Sequence, residues 1–302
     1  MIMEKQPLVS VITITRNRGK LLGRCIASVL NQTYSNIEYL VVDGASDDNT
    51  DDVVASFTDS RLRYIKLETN WPIVDTINHG VALSKGKYIT FLDSDDEYLP
   101  TKVEKQVNLI EALPQDYGMV YCWMTYLDNN TKKIERLHNP SVRGDVSADV
   151  VEKPVVSGTP TYMFRREAFL ENGGWKNKEE IGLISDWELA ARFCQRWKVD
   201  FVPESLINVY VNHNISRMST KDYYANYYAQ KLKFHNYFLE TFRQIFEKEP
   251  NKMGYHLVSV SVCSFKLHQW GNALRAYRKL FSLDVPLKRK LSVFYELTQN
   301  PN

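Results

Sequence analysis

The sequence predicts an α/β fold, with a mostly parallel sheet flanked by helices and a helical extension at the C-terminus. In residues 8–92, segments rich in β-branched side chains alternate with segments of helical periodicity. Such alternation is typical of βαβ units, because parallel strands need a crossover that a helix can supply. Beyond residue 220 the strand pattern gives way to aromatic helical segments. We therefore expect a domain at 1–219 and a helical subdomain at 220–302.

Seven elements are predicted in the first hundred residues. Pro72 favours the start of one helix and Gly86 favours its end. Acidic residues open another helix, at the positive end of its dipole. In chain order the elements are a strand at 8–15, a helix at 20–32, a strand at 37–43, a helix at 47–57, a strand at 61–67, a helix at 72–84 and a strand at 87–92.

The rest of the chain predicts a mixture of strands, short helices and a helical tail. A strand from residue 117 is followed by a turn at Asn129-Asn130 and a returning strand. We expect a helix at 185–197, because an N-cap residue precedes an apolar repeat of helical spacing. The remaining expectations are loops over 142–160, a strand, short helix and Gly-Gly turn in 159–175, two strand segments in 199–213, one long helix at 223–248 and two helices in 258–283 that meet near Gly271.

Composition argues against several classes of protein. The formal net charge of +2 gives no reason to expect a nucleic acid partner. The four cysteines are scattered without CxxC spacing, so neither a zinc site nor a redox dithiol is indicated. The first residues lack a signal-peptide pattern, and no apolar run reaches the ~18 residues of a membrane span. We therefore expect a cytoplasmic protein.

An acidic turn, Asp93-Ser94-Asp95-Asp96, directly follows the predicted strand at 87–92. Three neighbouring carboxylates repel one another and are costly to desolvate, so a cation or free access of water should offset them. Asp-x-Asp supplies the hard oxygen ligands that Mg²⁺ and Mn²⁺ prefer when they also bind substrate phosphates. The alternative is a solvated acidic turn.

Polar residues also follow the other predicted strands, where ligands bind in parallel sheets. Thr15-Arg16-Asn17 follows the first strand, and Asp43 ends the second. The first loop contains only Gly19, so it cannot form the glycine-rich phosphate turn of a nicotinamide or flavin enzyme. Phosphatases that use a nucleophilic Asp-x-Asp carry it after the first strand, which here ends in Thr-Arg-Asn.

Four segments resemble family 2 glycosyltransferases, which have the GT-A fold. "VSVITITRNRGKLLGRCIASVLNQTYSNIEYLVVDGASDDNT" resembles the start of that family, and "GKYITFLDSDDEYLP" resembles its metal-binding segment. "ISDWELAARF" resembles its acidic segment and "WPIVDTINHG" a segment of one subgroup. The resemblance covers roughly residues 8–217.

The resemblance implies an inverting, metal-dependent transfer of a hexosyl or N-acetylhexosaminyl group. The expected donor is a nucleotide-sugar, with UDP favoured, and the expected acceptor is a saccharide or a lipid-linked saccharide in cell-surface polysaccharide synthesis. Processive members carry Gln-x-x-Arg-Trp, whereas Gln195-Arg196-Trp197 has a different spacing. A single-addition, non-processive enzyme is therefore expected.

The resemblance also assigns roles to residues at matching positions. Asp43 would accept a hydrogen bond from the uracil N3–H, because an ionised carboxylate is an acceptor-only group and suits a base that presents a donor. The alternative is that Asp43 caps the next turn. Asp95 would bind Mn²⁺ or Mg²⁺, and Asp93 would lie nearer the sugar as a second candidate ligand. His213 is a further candidate ligand, although a lone histidine is often a surface or core residue. The remaining nucleotide-sugar contacts expected from the resemblance are Thr15, Arg16, Asn17, Asp75, Asn78, Ser94 and Arg217.

Asp186 is the candidate general base that removes the proton from the attacking acceptor hydroxyl. The family often has Glu before this aspartate, whereas this chain has Ser185. The alternative is that Asp186 only caps the helix that follows, and the two roles are compatible.

Three further hypotheses follow from the sequence. The basic C-terminal stretch suggests that residues 285–302 contact anionic lipid, since acceptors in this family are often lipid-linked. A nucleotidyltransferase is an alternative function, although "TRNRGK" is a poor match to its expected glycine-rich loop. A module that binds a sugar nucleotide without turnover is the other alternative, and the oligomeric state is left open.

Overall fold

The computed structural model describes residues 6–183, 186–211 and 226–298. The chain divides into two compact units. The first unit comprises the described residues of Met1–Val146, Val155–Trp175 and Arg192–His213, and the second comprises those of Ser147–Pro154, Lys176–Ala191 and Asn214–Asn302. Two short segments from before residue 220 thus belong with the C-terminal helices. The division at residue 220 stays a prediction about domains that fold independently.

The N-terminal half of the first unit is a parallel sheet with helical crossovers, as predicted. Its strands lie in the order β3-β2-β1-β4, and every pairing among them is parallel. The side chains of β1, β2 and β4 are largely buried, because helices cover both faces of such a sheet, whereas those of the edge strand β3 are half-buried or exposed. The elements are β1 (Val9–Thr15), α1 (Gly19–Leu30), β2 (Ile37–Asp43), α2 (Thr50–Ala55), β3 (Leu62–Lys66), α3 (Ile73–Leu83) and β4 (Tyr88–Phe91).

The second half of the first unit extends this sheet with mixed pairings. The order continues β4-β8-β6-β9-β5, with β7 paired to β6. β4 pairs antiparallel with β8, whereas β6 and β9 are parallel. The elements of this half are β5 (Glu97–Tyr98), α4 (Lys102–Ala112), β6 (Tyr117–Asp128), β7 (Ile134–His138), β8 (Met163–Arg165), α6 (Arg166–Glu171) and β9 (Lys198–Val211).

The structure differs from the predicted elements at several places. The predicted loops at 142–160 contain a helix, α5 (Ser147–Glu152), and no prediction was made for α4. The two strand segments predicted in 199–213 form one strand, β9, which pairs along its length with β6. The ladder skips two residues of β9 opposite Cys122 and Trp123. This bulge accommodates Pro203, which has no N–H to donate to a regular ladder.

The second unit is helical in its described residues. The segment predicted as one long helix at 223–248 forms two, and its first residues lie outside the described part of the chain. The predicted pair in 258–283 is confirmed, because one helix ends and the next begins close to Gly271. With α5, the helices that contribute to this unit are α7 (Lys178–Ile181), α8 (Asp186–Phe193, as far as Ala191), α9 (Tyr227–Thr241), α10 (Arg243–Lys248), α11 (Gly254–Lys266), α12 (Trp270–Ser282) and α13 (Leu287–Thr298).

Trp187 lies at the centre of the buried aromatic core of the second unit. Its ring stacks on His256, with centroids 5.3 Å apart, and its Nε1 donates to the Val150 carbonyl at 2.5 Å. The Nδ1 atoms of His256 and His235 lie 3.0 Å apart. Burial lowers the pKa of His256 to about 4, so the pair is neutral near pH 7 and one ring donates to the other. Among the described residues, no helix has the length and apolar character to cross a membrane.

Candidate functional site

The loops that follow β1, β2 and β4 meet at the carboxyl edge of the sheet. Thr15 and Asp43 lie opposite each other in the parallel register of β1 and β2. On the other side of β1, Ile12 pairs with Phe91, and Thr13 Oγ1 donates to the Leu92 carbonyl at 2.9 Å. Since residue 92 leads directly into the acidic turn, the structure brings together the three predicted groups of polar residues.

The acidic turn is largely buried, with one exposed member. Asp93 is exposed, whereas Ser94, Asp95 and Asp96 retain only 7%, 7% and 1% of their accessible surface. Asp96 Oδ1 accepts from the Tyr210 N–H at 3.0 Å, which ties the turn to β9. The alternative of a fully solvated turn is therefore wrong for two of the three carboxylates.

Two arginines offset the charge of this turn, as the repulsion among its carboxylates requires. Arg18 Nη1 lies 3.2 Å from Asp95 Oδ2, in an ion pair that is mostly shielded from solvent. Arg24 Nη2 donates to the Asp95 carbonyl oxygen at 2.7 Å, and its guanidinium lies 3.5 Å from the centre of the Tyr210 ring. Neither arginine was predicted, although the need for a cation and the basic first loop together pointed to Arg18.

The first loop is held in shape by the loop after β2. The Asn17 N–H donates to Ser46 Oγ at 2.8 Å, and Asn17 Oδ1 accepts from the Asp47 N–H at 3.0 Å. Asn17 adopts a left-handed conformation with φ of 52°, which asparagine tolerates better than most residues. The Asn17 side chain therefore has a structural role here, and its predicted contact with a nucleotide-sugar stays a prediction.

Asp43 is fully buried, and both of its carboxylate oxygens accept hydrogen bonds. Oδ1 accepts from the Ser46 N–H at 3.0 Å and from its hydroxyl at 2.6 Å. Oδ2 accepts from the Tyr64 hydroxyl. Burial and the carboxylates of Asp43 and Asp51 raise the pKa of Tyr64, which keeps this hydroxyl protonated. The turn-capping alternative is thus present in the structure, and recognition of uracil stays a prediction.

Thr15 and Arg16 border this edge in different ways. The Thr15 side chain is 5% exposed, and its buried Oγ1 has no hydrogen-bond partner within the described residues. An unsatisfied buried hydroxyl is costly unless a ligand or water completes it. The Arg16 side chain is exposed beside it. Their predicted contacts with a nucleotide-sugar stay predictions.

Asp75 and Asn78 lie on α3 and differ in their surroundings. Asp75 is exposed in the first turn of the helix. Asn78 bonds the backbone of Trp175 twice, donating to its carbonyl and accepting from its N–H, each at 3.1 Å. These bonds fix the predicted turn at Gly173 and Gly174, which both have positive φ. The Asn78 amide is thus engaged in the scaffold.

Asp186 belongs to the second unit, where it is the first residue of α8 and is half-buried. The next residue, Trp187, is anchored by its ring contacts and its hydrogen bond to Val150. Asp186 thus lies at the positive end of the helix dipole. Ser185, His213 and Arg217 lie outside the described residues.

The carboxylate oxygens of the acidic turn suit a divalent cation whose remaining ligands come from a substrate. No group of three or more His, Cys, Asp or Glu side chains suited to a metal occurs in the described ranges. A cation in a nucleotide-binding site, however, often takes one or two carboxylates and completes its shell with phosphate oxygens and water. Asp95, Asp93 and the unsatisfied Thr15 hydroxyl, all at the carboxyl edge, match that requirement in chemistry.

Comparison with known proteins identifies the family of this chain. The family described as glycosyl transferase family 2 matches residues 10–173. The chain belongs to this family. An uncharacterized glycosyltransferase of Rickettsia typhi is 34% identical over 209 residues, which cover 67% of this chain and 63% of that relative. The predicted family and enzyme class are confirmed.

Other relatives match over shorter stretches. Escherichia coli WfaP, named as a UDP-Glc:α-D-GlcNAc-diphosphoundecaprenol β-1,3-glucosyltransferase, is 36% identical over 105 residues, or 35% of this chain and 42% of its own length. Across four uncharacterized Rickettsia glycosyltransferases, the matches cover between 22% and 63% of the relative's length.

Solved structures confirm the predicted GT-A fold. S. aureus TarS 1–349, solved with UDP-GlcNAc, superposes with a TM-score of 0.65 at 16% identity, covering 95% of this chain and 86% of TarS. The mannosyltransferase PcManGT of Pyrobaculum calidifontis, solved with GDP-Man and Mn²⁺, gives a TM-score of 0.58 at 16% identity over 98% of this chain and 82% of its own. At such identities the likeness concerns the fold.

Proposed function

We propose that this protein transfers a sugar from a nucleotide-sugar, with UDP favoured, to a lipid-linked saccharide, and that the anomeric carbon is inverted. The observation that carries the proposal is the meeting of Thr15, Asp43 and the acidic turn at one sheet edge, with Arg18 beside them. Carboxylates and a guanidinium together suit a diphosphate bound through a cation.

Relatives and structural neighbours support a nucleotide-sugar donor. TarS was solved with UDP-GlcNAc and with UDP, and PcManGT with GDP-Man. The names of WfaP and of a second Escherichia coli relative, WfgD, both specify UDP-Glc. In this chain Asp43 is the candidate for reading the base, since a carboxylate accepts from the N3–H of uracil.

A divalent cation, Mn²⁺ or Mg²⁺, would be held by Asp95 with Asp93 as second ligand. When bound, such a cation neutralises the charge that builds on the departing diphosphate. Arg18 Nη1 lies 3.2 Å from Asp95 Oδ2, so a cation bound by this carboxylate would compete with the arginine for it. The Thr15 hydroxyl, which has no hydrogen-bond partner among the residues that the structure describes, is available to a ligand oxygen. His213 and Arg217, outside the described residues, stay candidates for metal and phosphate contacts.

Asp186 would act as the general base. Its carboxylate takes the proton of the acceptor hydroxyl while that oxygen bonds to the anomeric carbon and the nucleoside diphosphate leaves. No covalent enzyme intermediate forms, so the configuration inverts. Anchoring of Trp187 fixes the backbone beside Asp186, which supports a positioned base.

A lipid-linked acceptor is inferred from the names of the relatives. WfaP and WfgD are both named as acting on GlcNAc-diphosphoundecaprenol. An acceptor of this kind implies one step of a cell-surface polysaccharide pathway and a reaction at a membrane surface. The spacing of Gln195-Arg196-Trp197 favours a single addition.

The test is a transfer assay with a panel of UDP-, GDP- and dTDP-sugars, Mn²⁺ and a diphosphate-lipid saccharide. We expect one UDP-sugar to release UDP only when acceptor is present, with an inverted linkage in the NMR spectrum of the product. Asp186→Asn and Asp95→Ala should each lower the rate by about 10²-fold or more. Asp52→Asn, an exposed acid on α2, is the matched control and should leave the rate unchanged.

Two results would contradict the proposal. Tight binding of a sugar nucleotide without release under any condition would favour a binding module. Formation of pyrophosphate from UTP and a sugar phosphate would indicate a nucleotidyltransferase.

A further inference from the structure

An apolar surface is exposed along α12 and α13 of the second unit. On α12, Trp270 and Leu274 retain 55% and 47% of their accessible surface. On α13, Leu287, Phe294 and Tyr295 retain 63%, 54% and 64%. Single exposed apolar residues are ordinary, but a contiguous group usually marks an interaction site. We call these residues, with Phe281 and Leu291, the α12–α13 surface.

The exposed residues form one stripe on each helix. At about 100° per residue, Leu287, Leu291, Phe294 and Tyr295 fall within a sector of about 100° on α13. Trp270, Leu274 and Phe281 fall within about 40° on α12. The sides away from these stripes carry buried residues, such as Ala276 on α12 and Val293 on α13. Each helix therefore has one apolar side in the core and a second apolar side in solvent.

Aromatic contacts join the two stripes into a continuous surface. The ring centroids of Tyr277 and Phe281 lie 4.7 Å apart, and those of Tyr277 and Phe294 lie 5.6 Å apart. Lys290 Nζ bonds the Phe281 carbonyl at 3.0 Å, which also ties α13 to the end of α12. The surface is thus built by two helices that hold each other in place.

Basic side chains border this surface. On the α13 helix, Lys288 projects on one flank of the stripe and Lys290 on the other, and Arg278 is next to the α12 stripe. Between residues 270 and 298, Lys and Arg far outnumber Asp and Glu. The basic residues are Arg275, Arg278, Lys279, Lys288, Arg289 and Lys290, and the acidic ones are Asp284 and Glu296.

We propose that the α12–α13 surface docks this protein onto an anionic membrane. An apolar stripe with lysine and arginine on its flanks is the pattern by which interfacial helices enter the boundary between headgroups and acyl chains. Anionic headgroups complement the basic border. A second copy of the chain fits less well, because a two-fold interface would bring this basic border against its own copy.

This inference extends the proposed lipid-linked acceptor, because docking would hold the enzyme beside such a substrate. Membrane binding is nevertheless measured without donor or acceptor. Failure to bind vesicles would therefore leave the proposed transfer reaction standing, and failure of transfer would leave the docking surface standing.

The experiment is sedimentation of the full chain with vesicles of phosphatidylcholine alone or of phosphatidylcholine and phosphatidylglycerol at a 3:1 ratio. We expect binding to the anionic vesicles that weakens as salt is raised. Arg278→Glu with Lys288→Glu should lower the affinity by about 25-fold or more, at about fivefold per basic charge. Leu291→Ser with Phe294→Ser should abolish binding, because the apolar contact is lost.

Matched control variants make the same kinds of substitution at exposed sites outside the α12–α13 surface. Lys133→Glu with Lys248→Glu makes the same charge change, and Ile134→Ser with Leu137→Ser removes exposed apolar side chains from β7. Both controls should bind as the unaltered chain does. Unchanged thermal unfolding of every variant separates loss of docking from loss of fold.

A second readout reports directly on the surface. Bromine-labelled lipid should quench the fluorescence of Trp270, and Trp270→Phe should remove most of the quenching. The proposal would be overturned by no binding to anionic vesicles, or by equal loss of binding in the controls. It would also be overturned by a dimer in light scattering that Phe294→Ser dissociates, which would identify a second copy as the occupant.

Discussion

Asp43 and Asp95 both follow strands that flank β1, yet their carboxylates are used in different ways. Asp43 is fully buried and accepts bonds from the Ser46 backbone, the Ser46 hydroxyl and the Tyr64 hydroxyl. Asp95 is paired with Arg18, a long side chain from the first loop. The first arrangement fixes a turn of the scaffold. In the second arrangement Arg18 neutralises the charge of Asp95, and a bound cation is able to take the place of the arginine.

Whether a carboxylate serves the scaffold or a ligand depends more on its partner in the fold than on its place in the sequence. Ser46 on the same turn and Tyr64 on the neighbouring strand β3 satisfy Asp43 within the fold. The partner of Asp95 is instead a guanidinium at the end of a long, flexible side chain.

Asp95→Ala should lower sugar transfer by about 10³-fold, because charge on the leaving diphosphate would no longer be stabilised. The free energy of unfolding should change by less than about 1 kcal/mol, because the Arg18 side chain is 20% exposed and can turn to water once its partner is removed. A rate assay and urea unfolding measure the two quantities. A stable fold with full activity would remove Asp95 from the site, and Asp95→Asn serves as the isosteric companion.

Asp43→Ala should destabilise the fold by about 3 kcal/mol, because it leaves the N–H and the hydroxyl of Ser46 without their acceptor and removes one acceptor of the Tyr64 hydroxyl. Urea unfolding measures the loss. Asp47→Ala, an exposed acid in the same loop, is the control and should change stability by less than about 0.5 kcal/mol. If Asp43→Ala instead loses nucleotide-sugar binding and keeps its stability, Asp43 is a ligand contact and its contrast with Asp95 is wrong.

Arg18→Met should tighten the binding of Mn²⁺ alone by about fivefold, because the ion pair with Asp95, worth about 1 kcal/mol, no longer competes with the cation. Isothermal titration of the unaltered chain and the variant compares the affinities. Equal or weaker binding in Arg18→Met would mean that the guanidinium and the cation do not share this carboxylate.

Tyr64→Phe should lower the free energy of unfolding by about 0.5–1 kcal/mol, because Asp43 loses one of its donors and keeps two. Chemical denaturation measures the difference, with Tyr117→Phe as a tyrosine control whose hydroxyl is not bonded to Asp43. A loss as large as that of Asp43→Ala would show that the Tyr64 hydroxyl alone holds the turn.

The strands β1 to β4 and the helices between them were predictable because their periodicities are local properties of the chain. β9 was predicted as two pieces because Pro203 interrupts its pattern, and pairing with β6 through a bulge restores one strand. α4 was missed between the acidic turn and β6. Among its residues, Lys102 is fully buried, and burial lowers its pKa to about 7. A charged side chain in a core position conceals the apolar face on which a helix prediction depends.

The candidate site, too, was predictable only in part. The residue types at the strand ends were readable from the sequence, as were the Asp-x-Asp turn and its need for a counter-charge. The identity of the cations was not, because Arg18 and Arg24 reach Asp95 across a separation of more than 70 residues in the chain. The engagement of Asn78 by Trp175 is a contact of the same long-range kind.

The sequence alone determined the elements from β1 to β4, the family, and the positions where carboxylates leave the sheet, since each can be read from the residue types along the chain. The tertiary structure alone decided which carboxylate is enclosed by its own turn, which is paired with an arginine, and which apolar helix faces remain in solvent. These outcomes depend on distance and burial, and a one-dimensional pattern carries neither.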